Sequence, residues 1–472
     1  MTLRAVLVLI LAAAGPVLAQ GGLDRVLDGF DDAPAFQPPD DILTVLEGFD
    51  TDTGPASRLP PPAQEPNARL QFGGRLSQRI VFNVAHDAPP PSGEDHRGLS
   101  SMQSRLDLEA DARLGSAWKA RVEGHVWIDP AADRANGGAG RSSEFSDAYG
   151  REAEIDEFFL QGPISGNLDL TVGRQILAWG RSDLFRVTDV LNPVDNRLPG
   201  LTDIKDHRLP VTALRLDRYE NSWSVSMIAI PERRFDKLPV PGSDFFVGTE
   251  APPQRTTPDD AFGAPELALA LNGTFPGWDI SLYGARVIDD RPHLAPGPSG
   301  LPQLRHGRIT MAGAAGNLVR GSWLVKAEAA LFNGLRFSNA GARTFSRLTT
   351  LAGVEYSGLA DSAIALEARN DHISDFDDRL ASPPDDRRRN ETATALRVQR
   401  TFLNDALDVT FLALTFGKTG ELGAVRRLQF DYAWTDALQL STGLVAYQSG
   451  GQAPFRGIGN NDRLFATLNY HF

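Results

Sequence analysis

The chain has no cysteine among its 472 residues. That absence excludes disulfides, thiolate metal centres, cysteine nucleophiles and lipidation of a thiol behind a leader. Past the first residues it also lacks any apolar run of roughly 18 residues or more, so no transmembrane helix is predicted. There is no excess of positive charge. The formal net charge is −13, and a nucleic-acid partner would call for a basic surface instead. Catalytic signatures are missing too. The sequence contains no G-x-S-x-G element, no H-E-x-x-H and no glycine-rich phosphate loop, and its 8 histidines are scattered without metal-ligand spacing. The reading is therefore of a non-enzyme with no catalytic residue, metal or cofactor.

What is present begins with an address. Arg4 supplies a positive start, Ala5 to Ala14 is apolar but too short to span a bilayer, and Val17-Leu18-Ala19 offers a small-residue cleavage site. Residues 1–19 read as a signal peptide, with the mature chain starting at Gln20. Residues 20–67 are rich in Pro, Asp and Gly, with Pro60, Pro61 and Pro62 in a row, and are expected to form a disordered periplasmic arm. A motif occurs twice in it, Val26-Leu27-Asp28-Gly29-Phe30-Asp31 and Val45-Leu46-Glu47-Gly48-Phe49-Asp50. It reads either as a duplicated linker or as two linear motifs. In the second case Leu27, Phe30, Leu46 and Phe49 would dock on a periplasmic or inner-membrane transport partner, with affinity raised by repetition.

From residue 68 the pattern alternates with period two. In Arg105-Leu106-Asp107-Leu108-Glu109-Ala110-Asp111-Ala112-Arg113 the odd positions are charged and the even ones apolar. Trp118 to Trp127 alternates likewise. Such a strand carries one charged and one apolar face. Without a membrane helix, a secreted chain can span a bilayer only as a closed barrel. Eighteen alternating segments can be drawn between residues 68 and 472, and their connections alternate between short and long. Segments 180–208 and 232–264 are the longest. Short periplasmic turns opposite long extracellular loops predict a transmembrane antiparallel β-barrel of 16–18 strands, most simply 18. It would lie in outer-membrane lipid and lipopolysaccharide, in a Gram-negative cell. At the end of the chain, Leu464, Ala466, Leu468, Tyr470 and Phe472 share one face. An apolar strand with Tyr470 and a terminal Phe472 resembles the signal that hands such barrels to their assembly machinery.

A barrel of this size leaves a lumen, and Arg105, Asp107, Glu109, Arg121 and Glu123 fall on its charged face. Segment 173–201 stands apart, because Leu184, Val187, Val190, Leu191, Val194 and Leu198 make it too apolar for a solvated loop. Leu184, Val187 and Leu191 fall at i, i+3 and i+7, with Ser182 or Asp183 to cap and Pro193 to stop, so a short amphipathic helix is expected. It would either fold inward against the wall and leave Arg181, Asp183, Arg186, Asp189 and Asp195 to shape the opening, or cap the rim without entering the lumen. In a further loop, the acidic runs Asp375–Asp378 and Asp385-Asp386 beside Arg387-Arg388-Arg389 read as solvated, or as a contact for Ca²⁺ or lipopolysaccharide.

The run VGRQILAWGRSDLFRVTDVLNPVD, residues 172–195, resembles a segment of a large, porin-like family of Gram-negative outer-membrane barrels. Its marks are Gly173-Arg174-Gln175, Trp179-Gly180 and Asn192-Pro193-Val194-Asp195. The Gly-Arg-Gln strand is also similar to one in alginate-export barrels. The resemblance implies a porin-like channel that passes a solute or an exported lipid or saccharide, coupled to an inner-membrane exporter, with Arg174, Gln175, Trp179 and Asn192 at the constriction. The alternative is a plugged barrel serving as receptor, adhesin or scaffold.

Overall fold

A computed structural model of the protein describes residues 69–89, 94–132, 142–202, 207–246, 253–256, 264–452 and 455–472. The leader, the arm and its duplicated motif lie outside them.

Period-two patterning builds eighteen strands: β1 (Leu70–Asn83), β2 (Gly98–Leu114), β3 (Trp118–Ile128), β4 (Arg151–Ser165), β5 (Leu168–Gln175), β6 (Val211–Glu220), β7 (Trp223–Ile230), β8 (Glu266–Phe275) and β9 (Trp278–Ile288). They continue as β10 (Arg308–Arg320), β11 (Trp323–Arg336), β12 (Thr344–Leu359), β13 (Ser362–Ile373), β14 (Asn390–Phe402), β15 (Leu407–Phe416), β16 (Gly423–Ala433), β17 (Leu438–Gln448) and β18 (Arg463–His471). Each pairs antiparallel with its sequence neighbour, and β1 pairs with β18 from Arg75↔His471 to Asn83↔Arg463. The sheet therefore has no edge, which lets every strand satisfy its backbone groups in lipid.

The faces are the inverse of a soluble fold. On β11, Lys326 and Glu328 are 3% and 4% exposed while Val325 and Leu331 are 47% and 41% exposed. The charged side chains point into the barrel, and the apolar ones point out, where lipid rather than water is the favourable solvent. The short connections, 115–117, 166–167, 221–222, 276–277, 321–322, 360–361, 403–406 and 434–437, all lie at one end, where β1 starts and β18 stops. Five of the seven tryptophans, Trp118, Trp223, Trp278, Trp323 and Trp434, sit in or beside these turns. They form an interfacial belt.

The opposite end carries the long loops, including 176–210 and 231–265. One holds α1 (Ser143–Tyr149), whose N-terminus is capped by Ser142 Oγ accepting from Phe145 N at 3.1 Å. Others form a small sheet from His293–Pro296, Pro302–Arg305 and Arg255–Thr256. Inside, small residues such as Ala213, Ala268, Ala270 and Ala285 line β6 to β9, and a buried apolar cluster fills the space in front of them.

Candidate functional site

The 176–210 loop makes that cluster. Leu177, Phe185, Val187 and Leu191 are buried against the inward faces of β6 to β14. Two glycines with positive φ precede and begin the loop, Gly173 still paired within β5 and Gly180 in the loop itself. Gly173 adopts φ +131, and a Cβ there would stand 2.2 Å from the Phe158 carbonyl oxygen. Gly180 adopts φ +94 where the chain turns toward Glu328. Both conformations are costly for other residues.

No helix forms over residues 182–193, which corrects the expectation drawn from Leu184, Val187 and Leu191. The physical reason lies in the wall. Glu328 accepts from the backbone N–H of Arg181 at 2.5 Å and of Ser182 at 2.6 Å, and from Thr188 Oγ1 at 3.0 Å. A carboxylate on the barrel satisfies donors that a helix would otherwise satisfy with its own carbonyls. Further anchors surround it. Arg181 donates to Asp279 at 2.6 Å and Ser281 at 2.9 Å, Asp183 accepts from Lys326 at 2.5 Å, and Ser182 Oγ donates to Glu367 at 2.5 Å. Trp179 stacks on Tyr283 with ring centroids 4.8 Å apart.

The same loop crosses the lumen. Its far stretch, Leu198 to Leu201, packs against Val425, Val445 and Tyr447 on β16 and β17. Tyr447 Oη donates to the Pro199 carbonyl at 2.5 Å, and Arg427 reaches the Gly200 carbonyl at 3.4 Å. Gly200 holds φ +79 with a Cβ position only 2.8 Å from Val425. The chain between the two anchorages is stiffened from within. Asn192, fully buried, accepts from Leu177 N at 2.7 Å and donates to the Leu209 carbonyl at 2.8 Å. Asp189 takes Arg186 at 3.2 Å and Arg208 at 2.9 Å.

Between this strap and β1 to β4 lies a cavity of about 230 Å³. Its walls include Arg105, Glu123 and His125 on the barrel and Asp195, Arg197 and Arg208 on the loop. Arg197 in its lining stands 2.6 Å from Asp195 and 3.0 Å from Glu152, with its guanidinium 5.9 Å from the centre of the Trp127 ring. Burial works against the Arg197 charge, but its hydrogen bonds to Asp195 and Glu152 outweigh burial and hold its pKa above the ordinary arginine value. Burial and the nearby Arg186 cation instead push His207 down to about 4, so it is neutral at neutral pH. Burial would raise Asp244, yet Arg463 at 2.7 Å and the neighbouring His86 hold it below the usual carboxylate range.

The residues singled out from sequence thus divide into groups. Trp179, Arg181, Asp183, Asp189 and Asn192 hold the strap in place, and Asp195 faces the cavity. Arg186 binds the Asn192 carbonyl at 2.6 Å. Gln175 is buried at the end of β5, donating to the Ala213 carbonyl at 3.3 Å. Arg174 stays apart, bridging Glu154 at 2.8 Å and Glu232 at 2.7 Å. Of the early lumen residues, Arg105 pairs with Asp107 at 2.7 Å. Arg121 gathers Glu109 and Asp111 at 2.8 Å, Glu123 at 2.7 Å and Glu157 at 3.0 Å. Tyr470 and Phe472 lie on the outer surface. Sequence reasoning missed Arg197, Tyr447 and Tyr283. Only the strap's return to the far wall reveals them, and nothing in local spacing marks that path.

Eighteen closed strands, an apolar outer belt and a charged lumen crossed by a loop define an outer-membrane β-barrel of porin type. The chain belongs to the family described as "Protein of unknown function (DUF1302)", which matches residues 93–472. No curated protein matches it. Among solved structures it is similar to OccAB4 of Acinetobacter baumannii, at 11% identity and a TM-score of 0.51, over 86% of this chain and 100% of that one. It is also similar to the outer membrane protein opdK of Pseudomonas aeruginosa, at 10% identity and a TM-score of 0.48, over 85% and 98%. At 11% identity the likeness to OccAB4 speaks for the fold alone.

Proposed function

We propose that this barrel is a non-enzymatic outer-membrane channel, constricted by the strap at 176–210, which lets a solute or exported molecule pass beside β1 to β4. The observation that carries the reading is the asymmetry of the lumen. The strap and its apolar packing fill the side of β6 to β14, whereas the side of β1 to β4 keeps a charged cavity at the strap's edge. Charged walls around a narrow opening bias which solutes enter. Lining groups of both signs argue against an alginate-type cargo, for which a largely cationic wall would be expected. Coupling to a periplasmic or inner-membrane exporter rests on the duplicated Leu-Phe motif of the arm, Leu27 and Phe30 with Leu46 and Phe49.

A second reading, a plugged barrel acting as receptor, adhesin or scaffold, draws on the same strap, because attachment to both walls favours a closed lumen. Planar-bilayer conductance of the mature protein and of a variant lacking residues 183–197 separates the two. The channel reading expects unitary steps that enlarge when the segment is removed. Silence from both folded forms would overturn it in favour of the plugged barrel.

A further inference from the structure

A second cavity, of about 680 Å³, lies at the loop end of the barrel, lined by the ends of β11 to β14 and by the loops that follow β7, β9, β11 and β13. Its volume falls in the range of small-molecule sites. Its walls are of two kinds. Leu294, Leu304, Leu335, Phe337 and Ile373 give it an apolar side. Arg291, Arg336, Arg347, Arg387 and Arg388 give it a cationic one.

The carboxylates that share the lining are already engaged. Asp371 accepts from Thr349 at 2.7 Å and from Arg369, which is not part of the lining, at 2.9 Å. Asp385 accepts the backbone N–H groups of Ser338 at 2.8 Å and Asn339 at 2.7 Å. Glu391 accepts from Arg388 N at 3.0 Å and lies 3.4 Å from Arg387. Asp289 accepts the backbone N–H of Arg291 at 3.1 Å. Among the described residues, Arg291, Arg336 and Arg347 are left with no ion pair. Arg347 stands opposite Phe332 in the sheet register with its guanidinium 4.6 Å from that ring's centre, and its Nε is buried without a hydrogen-bond partner. Burial and the neighbouring Arg291 push the Arg387 pKa down despite Glu391.

The buried Nε of Arg347 without a counter-ion is costly, Arg291 and Arg336 add two exposed cations to the same lining, and the apolar wall beside them adds a second demand. We propose that this cavity is a binding site for an organic anion with an apolar body. Arg291, Arg336 and Arg347 hold its carboxylate or sulfonate, while its hydrocarbon part lies against Leu294, Leu335 and Phe337. A bare oxyanion would leave the apolar wall and most of the volume unused. A cation would meet only carboxylates already occupied. The acidic and basic run at 385–389 therefore belongs in part to a cavity wall, through Asp385, Arg387 and Arg388, rather than wholly to a solvated loop.

Calorimetric titration of the full barrel in zwitterionic nanodiscs tests this, using 2-naphthoate, its neutral isostere 2-naphthalenemethanol and inorganic phosphate, with empty nanodiscs as blank. Naphthoate should bind saturably, the alcohol at least tenfold more weakly, and phosphate not at all. The R291Q/R336Q double variant alters two exposed side chains, so the barrel is expected to fold, which heat-modifiable gel mobility checks. It should weaken naphthoate at least tenfold, whereas R218Q, at a turn on the other end, should leave it unchanged. Failure of the folded wild type to bind naphthoate, or equal affinity in the double variant, overturns the proposal. Phosphate binding as tightly as naphthoate overturns its amphipathic part.

Discussion

At the scale of single residues, Glu328 illustrates how a barrel wall can dictate the conformation of a loop. Its two oxygens receive three backbone N–H groups and a hydroxyl from residues 181–188. Replacement by alanine leaves those donors unsatisfied in a dry site, at about 1–3 kcal/mol each. The Glu328→Ala variant should therefore keep its barrel but release the strap. Because the protein has no native cysteine, a Ser182→Cys reporter is labelled at that site alone, and since it gives up the Ser182–Glu367 hydrogen bond in both backgrounds, the comparison isolates Glu328. Thiol labelling of S182C should be slow in the wild-type background and faster by an order of magnitude or more with E328A; equal rates would show that Glu328 does not hold the loop. Gly173 makes a different point. Its backbone leaves no room for a Cβ beside Phe158, so G173A should lower the unfolding temperature of the barrel measured by circular dichroism. The Gly173-Arg174-Gln175 mark was legible as a motif. Its cause, a close approach to Phe158 and Phe159 across the β4–β5 hairpin, was not, since the motif names residue types and not the backbone register that brings the two strands together.

At the scale of elements, the strands were legible and the strap was only half so. Period-two alternation is a local signal, strong in β2, where Arg105 to Arg113 switches face at every residue, so eighteen strands could be drawn and the inward face assigned where the alternation is clearest, as in β2 and β3. The apolar content of 176–210 marked a segment that must pack. Its conformation depended on Glu328, Glu367 and Lys326, more than a hundred residues away, and the helical spacing of Leu184, Val187 and Leu191 carried no information about them. The strap is also where pH should act. His207 is held neutral by burial and Arg186, with a pKa of about 4 against an ordinary 6.5. Above pH 6.5 it is neutral whether the strap is docked or free. Between 6.5 and 4 only the free form takes up a proton, so docking weakens as pH falls, by roughly 2–4 kcal/mol once the docked value is passed. Conductance or S182C labelling should rise through that window in the wild type and stay flat in His207→Asn. A flat wild-type profile would mean that the strap moves without exposing His207.

At the scale of the whole molecule, closure joins the last residues to the first strand. Phe472 exchanges two backbone hydrogen bonds of 3.0 Å with Gly74, and its ring covers the place where a Gly74 Cβ would stand, 2.5 Å from its tip. On the same outer face, Leu464, Tyr470 and Phe472 are 48%, 49% and 46% exposed, as a lipid-facing strand should be. Two roles for Phe472 can be separated by experiment: stapling the barrel shut, or being read by the assembly machinery before the barrel exists. Phe472→Ala keeps the backbone pairing with Gly74 and loses only the ring. If recognition by the machinery is the dominant role, F472A should refold into detergent at close to the wild-type rate, while the yield of heat-modifiable barrel in cells drops several-fold. Equal losses in both settings would assign Phe472 to closure alone. In that event Gly74→Val, which pushes the ring away without altering the last residue, should reproduce the defect.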